Sequence, residues 1–213
     1  MLASKTVTEL LEAFASPTPT PGGGSAAALS GAVAASLFHM VAAMPKTKNG
    51  TPEDRLMLDA TLADLVRLRK TLTDLIDRDA ASYEGVVAAY RLPKATDEEK
   101  AARKRAVQDA MRVATDVPME TARASASLIT LARVVAERGN PNAKSDTTVA
   151  LSMAQVGMAG ALANVEVNVD SVGDEAYATR LRNELEVMKT TLGMQLLPIM
   201  TALGWKGHIP PRS

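Results

Sequence analysis

The reading of this chain turns on Pro17-Thr18-Pro19-Thr20-Pro21-Gly22-Gly23-Gly24-Ser25 and the run behind it, Ala26-Ala27-Ala28-Leu29-Ser30-Gly31-Ala32-Val33-Ala34-Ala35. Proline fixes φ and withholds a backbone donor, so no helix runs through Pro17, Pro19 and Pro21. Gly22, Gly23 and Gly24 then strip every Cβ from one short bend, which lets a ligand or a second helix approach the backbone. The alanine-rich run is a strong helix former with little bulk. The stretch predicts a stiff lead-in, a bare loop, and the N-terminus of a close-packed helix. Unpaired N–H groups at such an N-terminus suit an anion or a carbonyl oxygen. The competing reading is a plain turn with Ser25 as an N-cap. No Gly-Lys-Ser/Thr follows and no strand precedes, so neither a Walker loop nor a dinucleotide fingerprint fits.

Outward from this stretch the pattern is helical throughout. Upstream, Thr6 or Thr8 caps a short helix through Glu9, Leu10, Leu11 and Phe14. Downstream, the alanine-rich helix runs from about Ser25 to Met44, where Pro45 stops it. Thr51 caps a long third helix from Pro52 to Tyr90. Its apolar residues, Leu58, Leu62, Leu65, Leu68, Leu72, Leu75 and onward, recur in steps of three and four. Thr96 and Glu99 form a capping box for a fourth helix. Pro118 is expected to kink or break that helix, which ends at Gly139 before Pro141. A fifth runs from about Ser145 to Val169, and a sixth from Asp174 to Leu203 with a kink at Pro198. The expected architecture is all-α: one domain over residues 1–213, a bundle of about six helices with an extended tail at 204–213.

Composition narrows the function. The 213 residues carry 24 Lys plus Arg against 24 Asp plus Glu, a formal net charge of zero that gives no support for nucleic-acid binding. Near-neutrality leaves little repulsion between copies, so self-association is expected. The chain has no cysteine, which excludes disulfides and thiolate metal sites and fits a reducing cytoplasm, the expected location. The apolar run from Ala26 to Met44 contains Ser30, Gly31, Ser36 and His39 and is read as a buried helix rather than a membrane span. His39 and His208 stand alone and make no metal site.

Polar residues on apolar stripes mark candidate chemistry. On the third helix, positions 72, 76, 79, 83, 86 and 90 share a face. Leu72, Ile76, Tyr83, Val86 and Tyr90 occupy five of them, and Asp79 takes the sixth. That carboxylate is either a structural ion pair or cap, or a group tuned for proton transfer or for stabilising a cation. On the fifth helix the small residues Ala150, Ala154, Gly157 and Ala161 lead to Asn164 and Asn168. Both amides face inward, for hydrogen bonds between helices or for a polar ligand. In the loop before it, Asn140, Asn142, Ser145 and Asp146 are caps or ligand contacts.

Four blocks in order resemble the formiminotetrahydrofolate cyclodeaminase and methenyltetrahydrofolate cyclohydrolase family. They are Pro19 to Ala28, Asp116 to Ala122, Glu137 to Asp146 and Ala163 to Asn168, and the likeness spans roughly residues 5 to 200. Tyr90 to Arg103 particularly resembles the stand-alone bacterial cyclohydrolase branch. The resemblance implies an all-helical homodimer acting on a reduced folate, with no cofactor beyond that substrate and no metal, nucleic-acid or membrane partner. Asp79 maps to the family's characteristic aspartate and is the expected catalytic residue. Pro21, Gly22, Gly23, Gly24, Ser25, Tyr83, Asn140, Ser145, Asp146, Asn164 and Asn168 are the expected substrate contacts. Hydrolysis of 5,10-methenyltetrahydrofolate to 10-formyltetrahydrofolate is the leading expectation. The alternatives are ammonia release from 5-formiminotetrahydrofolate and a non-catalytic helical folate-binding or assembly module.

Overall fold

The computed structural model describes Met1 to Gly204 and contains six α-helices: α1 Val7–Ala15, α2 Gly23–Ala43, α3 Pro52–Tyr90, α4 Asp97–Arg138, α5 Lys144–Val169 and α6 Glu175–Ala202. A 3-10 turn, Pro141–Ala143, leads into α5. Among the described residues there is no strand. The tail expected to be extended lies, apart from Gly204, outside the described residues.

The caps follow the sequence signals. The Thr6 and Thr96 side chains each accept from the backbone three residues on, completed by Glu9 and Glu99, and Thr51 accepts from Asp54 N–H. One expectation changes, and another narrows from a kink or break at Pro118 to a helix that is not broken there. Helix α2 begins at Gly23, two residues before Ser25, and its N-cap is Gly22 with no side-chain cap. Ser25 is therefore the third helical residue and its hydroxyl is free for other partners. Helix α4 runs unbroken from Asp97 to Arg138 with Pro118 inside it, and α6 likewise contains Pro198.

Helices α2, α3, α4 and α5 pack as a ring of neighbours around one core, and α6 lies mainly against α4. The core is made by buried residues of all four, including Phe38, Leu65, Leu72, Met119, Leu128 and Met158. At the α2–α5 crossing the backbones nearly touch. A Cβ on Gly157 would stand 2.9 Å from the Ala27 carbonyl oxygen and 3.1 Å from Gly31 N. Only glycine fits there, which is how a helix of such small residues is bound tightly. Both α2 and α5 are long and apolar enough to cross a membrane, and 50% and 44% of their most apolar windows are buried within the bundle.

Length sets the position of the site. At 1.5 Å per residue, α3 is roughly 58 Å long and α2 roughly 32 Å. They run antiparallel: Arg55, near the start of α3, donates to the Ala42 and Met44 carbonyls at the end of α2. Ser25, at the start of α2, reaches Ile76. The last turns of α3 therefore overshoot α2, and the facing α4 overshoots with them. Tyr83 and Tyr90 are exposed for this reason, at 42% and 52%, although they share the stripe of buried Leu72 and Ile76. The other end of the α3–α4 pair is tied by Asp54, which accepts from Asn49 N–H at 2.8 Å and Arg138 at 3.0 Å. The Asn49 amide and then the Arg138 guanidinium hold the Asp54 carboxyl below its usual range.

Candidate active site

Where α3 and α4 outrun α2 and α5, a cleft of about 330 Å³ opens, within the range of small-molecule sites. Its floor is the first turn of α2, Gly22 to Gly24, with Pro19 and Thr20 leading in. One wall is α3, with Asp79, Ser82, Tyr83 and Val86. Met111 and Ala114 of α4 and Asn164 and Asn168 of α5 close it.

Asp79 sits at the head of this cleft against the N-terminus of α2. Its Oδ2 accepts from Ser25 Oγ at 2.8 Å, and the same hydroxyl lies 3.0 Å from the Ile76 carbonyl. Burial raises the Asp79 carboxyl above the ordinary range, opposed by hydrogen bonds from the Ser25 hydroxyl and backbone N–H. Ser25 therefore serves both charge states. It donates to the ionised carboxylate. When Asp79 is protonated, Asp79 can donate to Ser25 Oγ while Ser25 turns to Ile76. A half-buried carboxyl with a raised pKa and a ready partner in either state suits proton transfer.

The glycines divide by what their missing side chains make room for. A Cβ on Gly24 would lie 2.0 Å from Asp79 Oδ1, so Gly24 holds the space of the carboxylate itself. A Cβ on Gly23 would meet nothing nearer than Asn164 Nδ2 at 3.8 Å and would project beside the cleft. A Cβ on Gly22 would stand 3.3 Å from the Pro19 oxygen. None of the three has a positive φ. Room, rather than backbone freedom, explains Gly24.

Asn168 has a structural reason to be where it is. Pro118 has no N–H, so the carbonyl four residues earlier, Ala114, loses its helical donor. Asn168 Nδ2 donates to that oxygen at 2.8 Å. The amide thus satisfies the gap left by a buried proline and keeps its own oxygen beside the cleft. Asn164 Nδ2 donates to Gly160 O at 2.8 Å within α5.

The chain matches known proteins over most of its length. Residues 6–187 match the model of the formiminotransferase-cyclodeaminase family. The chain belongs to that family. It is 42% identical to a methenyltetrahydrofolate cyclohydrolase from Methylorubrum extorquens over 91% of this chain and 93% of that protein. It is 33% identical to the formimidoyltransferase-cyclodeaminase of Sus scrofa over 86% of this chain, but that match spans only 34% of the porcine protein. The crystal structure of formiminotetrahydrofolate cyclodeaminase from Thermotoga maritima superposes with a TM-score of 0.84 at 26% identity, covering 96% of this chain and 98% of that one.

Within this family fold, the expected contacts fall into two groups. Gly22, Gly23, Gly24, Asp79, Tyr83, Asn164 and Asn168 line one cleft, with Ser25 directly behind Asp79. Pro21 lies on the outer side of the loop, near Leu2 and Asp77. Asn140, Ser145 and Asp146 are not brought to the cleft within this chain. They stand at the opposite end of α5, and Asp146 precedes Asn164 by 18 residues, or about 27 Å of helix. Asn140 instead caps the 3-10 turn through Asn142 N–H and reaches Met44 Sδ at 3.4 Å. Sequence reasoning did not single out Ser82, Met111 or Ala114. Ser82 was legible as the residue one turn past Asp79. Met111 and Ala114 carry no polar signal.

Proposed function

We propose that the protein hydrolyses 5,10-methenyltetrahydrofolate to 10-formyltetrahydrofolate. The observation that carries this reading is the Asp79 carboxyl, raised by burial and paired with Ser25, at the head of a cleft in a chain so similar to a named cyclohydrolase. The bridging carbon of the substrate lies between two nitrogens that share its positive charge. An ionised Asp79 stabilises that cation and takes a proton from the attacking water. The water oxygen bonds to the bridging carbon, and the bond from that carbon to N5 breaks. One proton of the water ends on N5, delivered through Asp79, and the other is released. The carbon remains on N10 as the formyl group.

Asn164 and Asn168 offer amide edges to the pterin ring. The N–H groups at the start of α2 suit the carbonyl or carboxylate oxygens of the rest of the folate. The glycines permit that approach. No cofactor beyond the folate is needed for this chemistry. The protein acts as a homodimer in this reading, because α2 and α5 present uncharged apolar residues to solvent.

Decay of the near-ultraviolet absorbance of 5,10-methenyltetrahydrofolate, corrected for spontaneous hydrolysis, tests the reading. Enzyme-dependent decay supports it. Release of ammonia from 5-formiminotetrahydrofolate without such decay assigns the chain to the cyclodeaminase reaction, which the Thermotoga structure's name describes.

A further inference from the structure

Two stripes of α3 face opposite ways at the level of the cleft. Asp79, Ser82, Tyr83 and Val86 line the cleft. Asp77, Ala80, Ala81 and Glu84 are two residues out of phase, about 200° round the helix, and floor a separate groove on the back of α3. The walls of that groove are Met1, Leu2 and Lys5 together with Thr20 and Pro21. Thr20 borders both the groove and the cleft. Residues 1–22 therefore pass round α3 as a belt. In front is the Pro19–Thr20 lip of the cleft, continuous with the first turn of α2. Behind is the N-terminal segment.

One carboxylate pins the belt at the back. Asp77 accepts from the backbone N–H groups of Leu2 and Ala3, one at each oxygen, the Ala3 bond at 3.4 Å. Leu2 packs its side chain against the core. A turn then leads into α1, closed by Lys5 N–H on the Leu2 carbonyl at 3.1 Å and by Ser4 Oγ on the Met1 carbonyl at 3.0 Å. Helix α1 adds little hold of its own. It packs closely against none of α2 to α6, and Leu10 is its one buried residue. Val7 and Leu11 stand 75% and 62% exposed. Between α1 and the lip the chain is stiff. Pro17, Pro19 and Pro21 fix φ, and Thr18 Oγ1 lies 2.9 Å from the Thr20 carbonyl oxygen and 3.2 Å from Ser16 Oγ. A stiff lead-in passes the position of its anchored end on to the lip.

We propose that Asp77 is a positioning residue for the folate cleft: by pinning Leu2 and Ala3 behind α3, it holds the Pro19–Thr20 lip where a bound ligand meets it. Asp77 touches no ligand itself, since it faces the back of the helix. Hydrogen bonds from backbone donors to an ionised carboxylate are stronger than neutral ones. Without them the belt is held only by the apolar contacts of Leu2 and Leu10. Each binding event must then order the lip, a cost that falls on affinity and not on the chemical step. The proposal rests on the folate reading only for which ligand meets the lip.

Asp77→Ala tests it in the full chain. Alanine favours a helix, so α3 should stay folded, checked by circular dichroism. Hydrogen exchange should quicken over residues 1–21 and hold over α3. The KM for 5,10-methenyltetrahydrofolate should rise about fivefold, with kcat within about twofold of wild type. Asp77→Asn keeps one acceptor oxygen and should fall between the two. Asp74→Ala removes an exposed carboxylate one turn earlier on α3 and should move neither readout, which separates the pin from a lost surface charge. Unchanged exchange at residues 16–21 in Asp77→Ala overturns the pin. Faster exchange with an unchanged KM overturns its bearing on the cleft. A fall in kcat with KM unchanged assigns Asp77 to the chemistry and overturns the positioning role. If wild-type protein does not hydrolyse the methenyl compound, the folate reading fails, while exchange over the lip still decides whether Asp77 holds it.

Discussion

At the scale of single residues, Asp79, Ser25 and Gly24 form one device. The carboxylate needs the space that Gly24 leaves, and Ser25 holds it in both charge states. Asp79→Asn is expected to lower turnover about a hundredfold or more while the protein stays folded, measured by methenyl decay and circular dichroism. The same substitution has a signature in stability. Burial holds the folded pKa of Asp79 above its unfolded value of about 3.9, so its contribution is present below that pH and lost as pH rises through the folded pKa. Asp79→Asn should therefore gain stability relative to wild type as pH rises from about 4 through the folded pKa, in urea titrations at each pH. In wild type, turnover should rise with pH along a limb that lies above the ordinary aspartate range. The glycines separate space from contact. Gly24→Ala must displace Asp79 and should cost turnover as severely as Asp79→Asn. Gly23→Ala is helical and unobstructed, so its melting temperature should hold or rise, since alanine favours a helix by about 1 kcal/mol. Its Michaelis constant for the folate should increase. An unchanged constant would remove Gly23 from the binding surface.

At the scale of elements, most of the fold was legible because helix caps and apolar stripes are local signals. Thr6, Thr51 and Thr96 start helices where the sequence places them. The same local reading stopped short at Pro118. A proline inside a helix removes one hydrogen bond, but whether the helix breaks depends on what else reaches the orphaned carbonyl. Here Asn168, 54 positions away on α5, supplies the donor, and no single-helix pattern reveals such a partner. This pairing makes a prediction about coupling. Asn168→Ala leaves the Ala114 carbonyl unpaired near the core and should destabilise the protein by about 1–3 kcal/mol in urea unfolding. Pro118→Ala restores a backbone donor to that carbonyl. In the Pro118→Ala background, Asn168→Ala should therefore cost clearly less. Equal costs in the two backgrounds would show that the Asn168 amide does not serve the proline gap.

At the scale of the whole molecule, two features were beyond local patterns. The stripe through Asp79 was read as one face, yet only its first half is core. Relative helix length decides this, because α3 continues past the start of α2 and turns the second half of the stripe into a cleft wall. The loop from Asn140 to Asp146 was expected at the same site as the glycines, and within one chain it stands a full helix away. Light scattering should accordingly give twice the 22.4 kDa subunit mass. Val156 is 57% exposed on the uncharged face of α2 and α5, so Val156→Glu puts a charge where a second copy would cover it and should reduce the mass to that of one subunit with helicity retained. Val156 is eight residues from Asn164, about 12 Å along α5, and does not line the Asp79 cleft. A site contained in one chain would keep its turnover in this monomer. A site that needs the second subunit would lose turnover, and would regain it at protein concentrations high enough to restore the dimer.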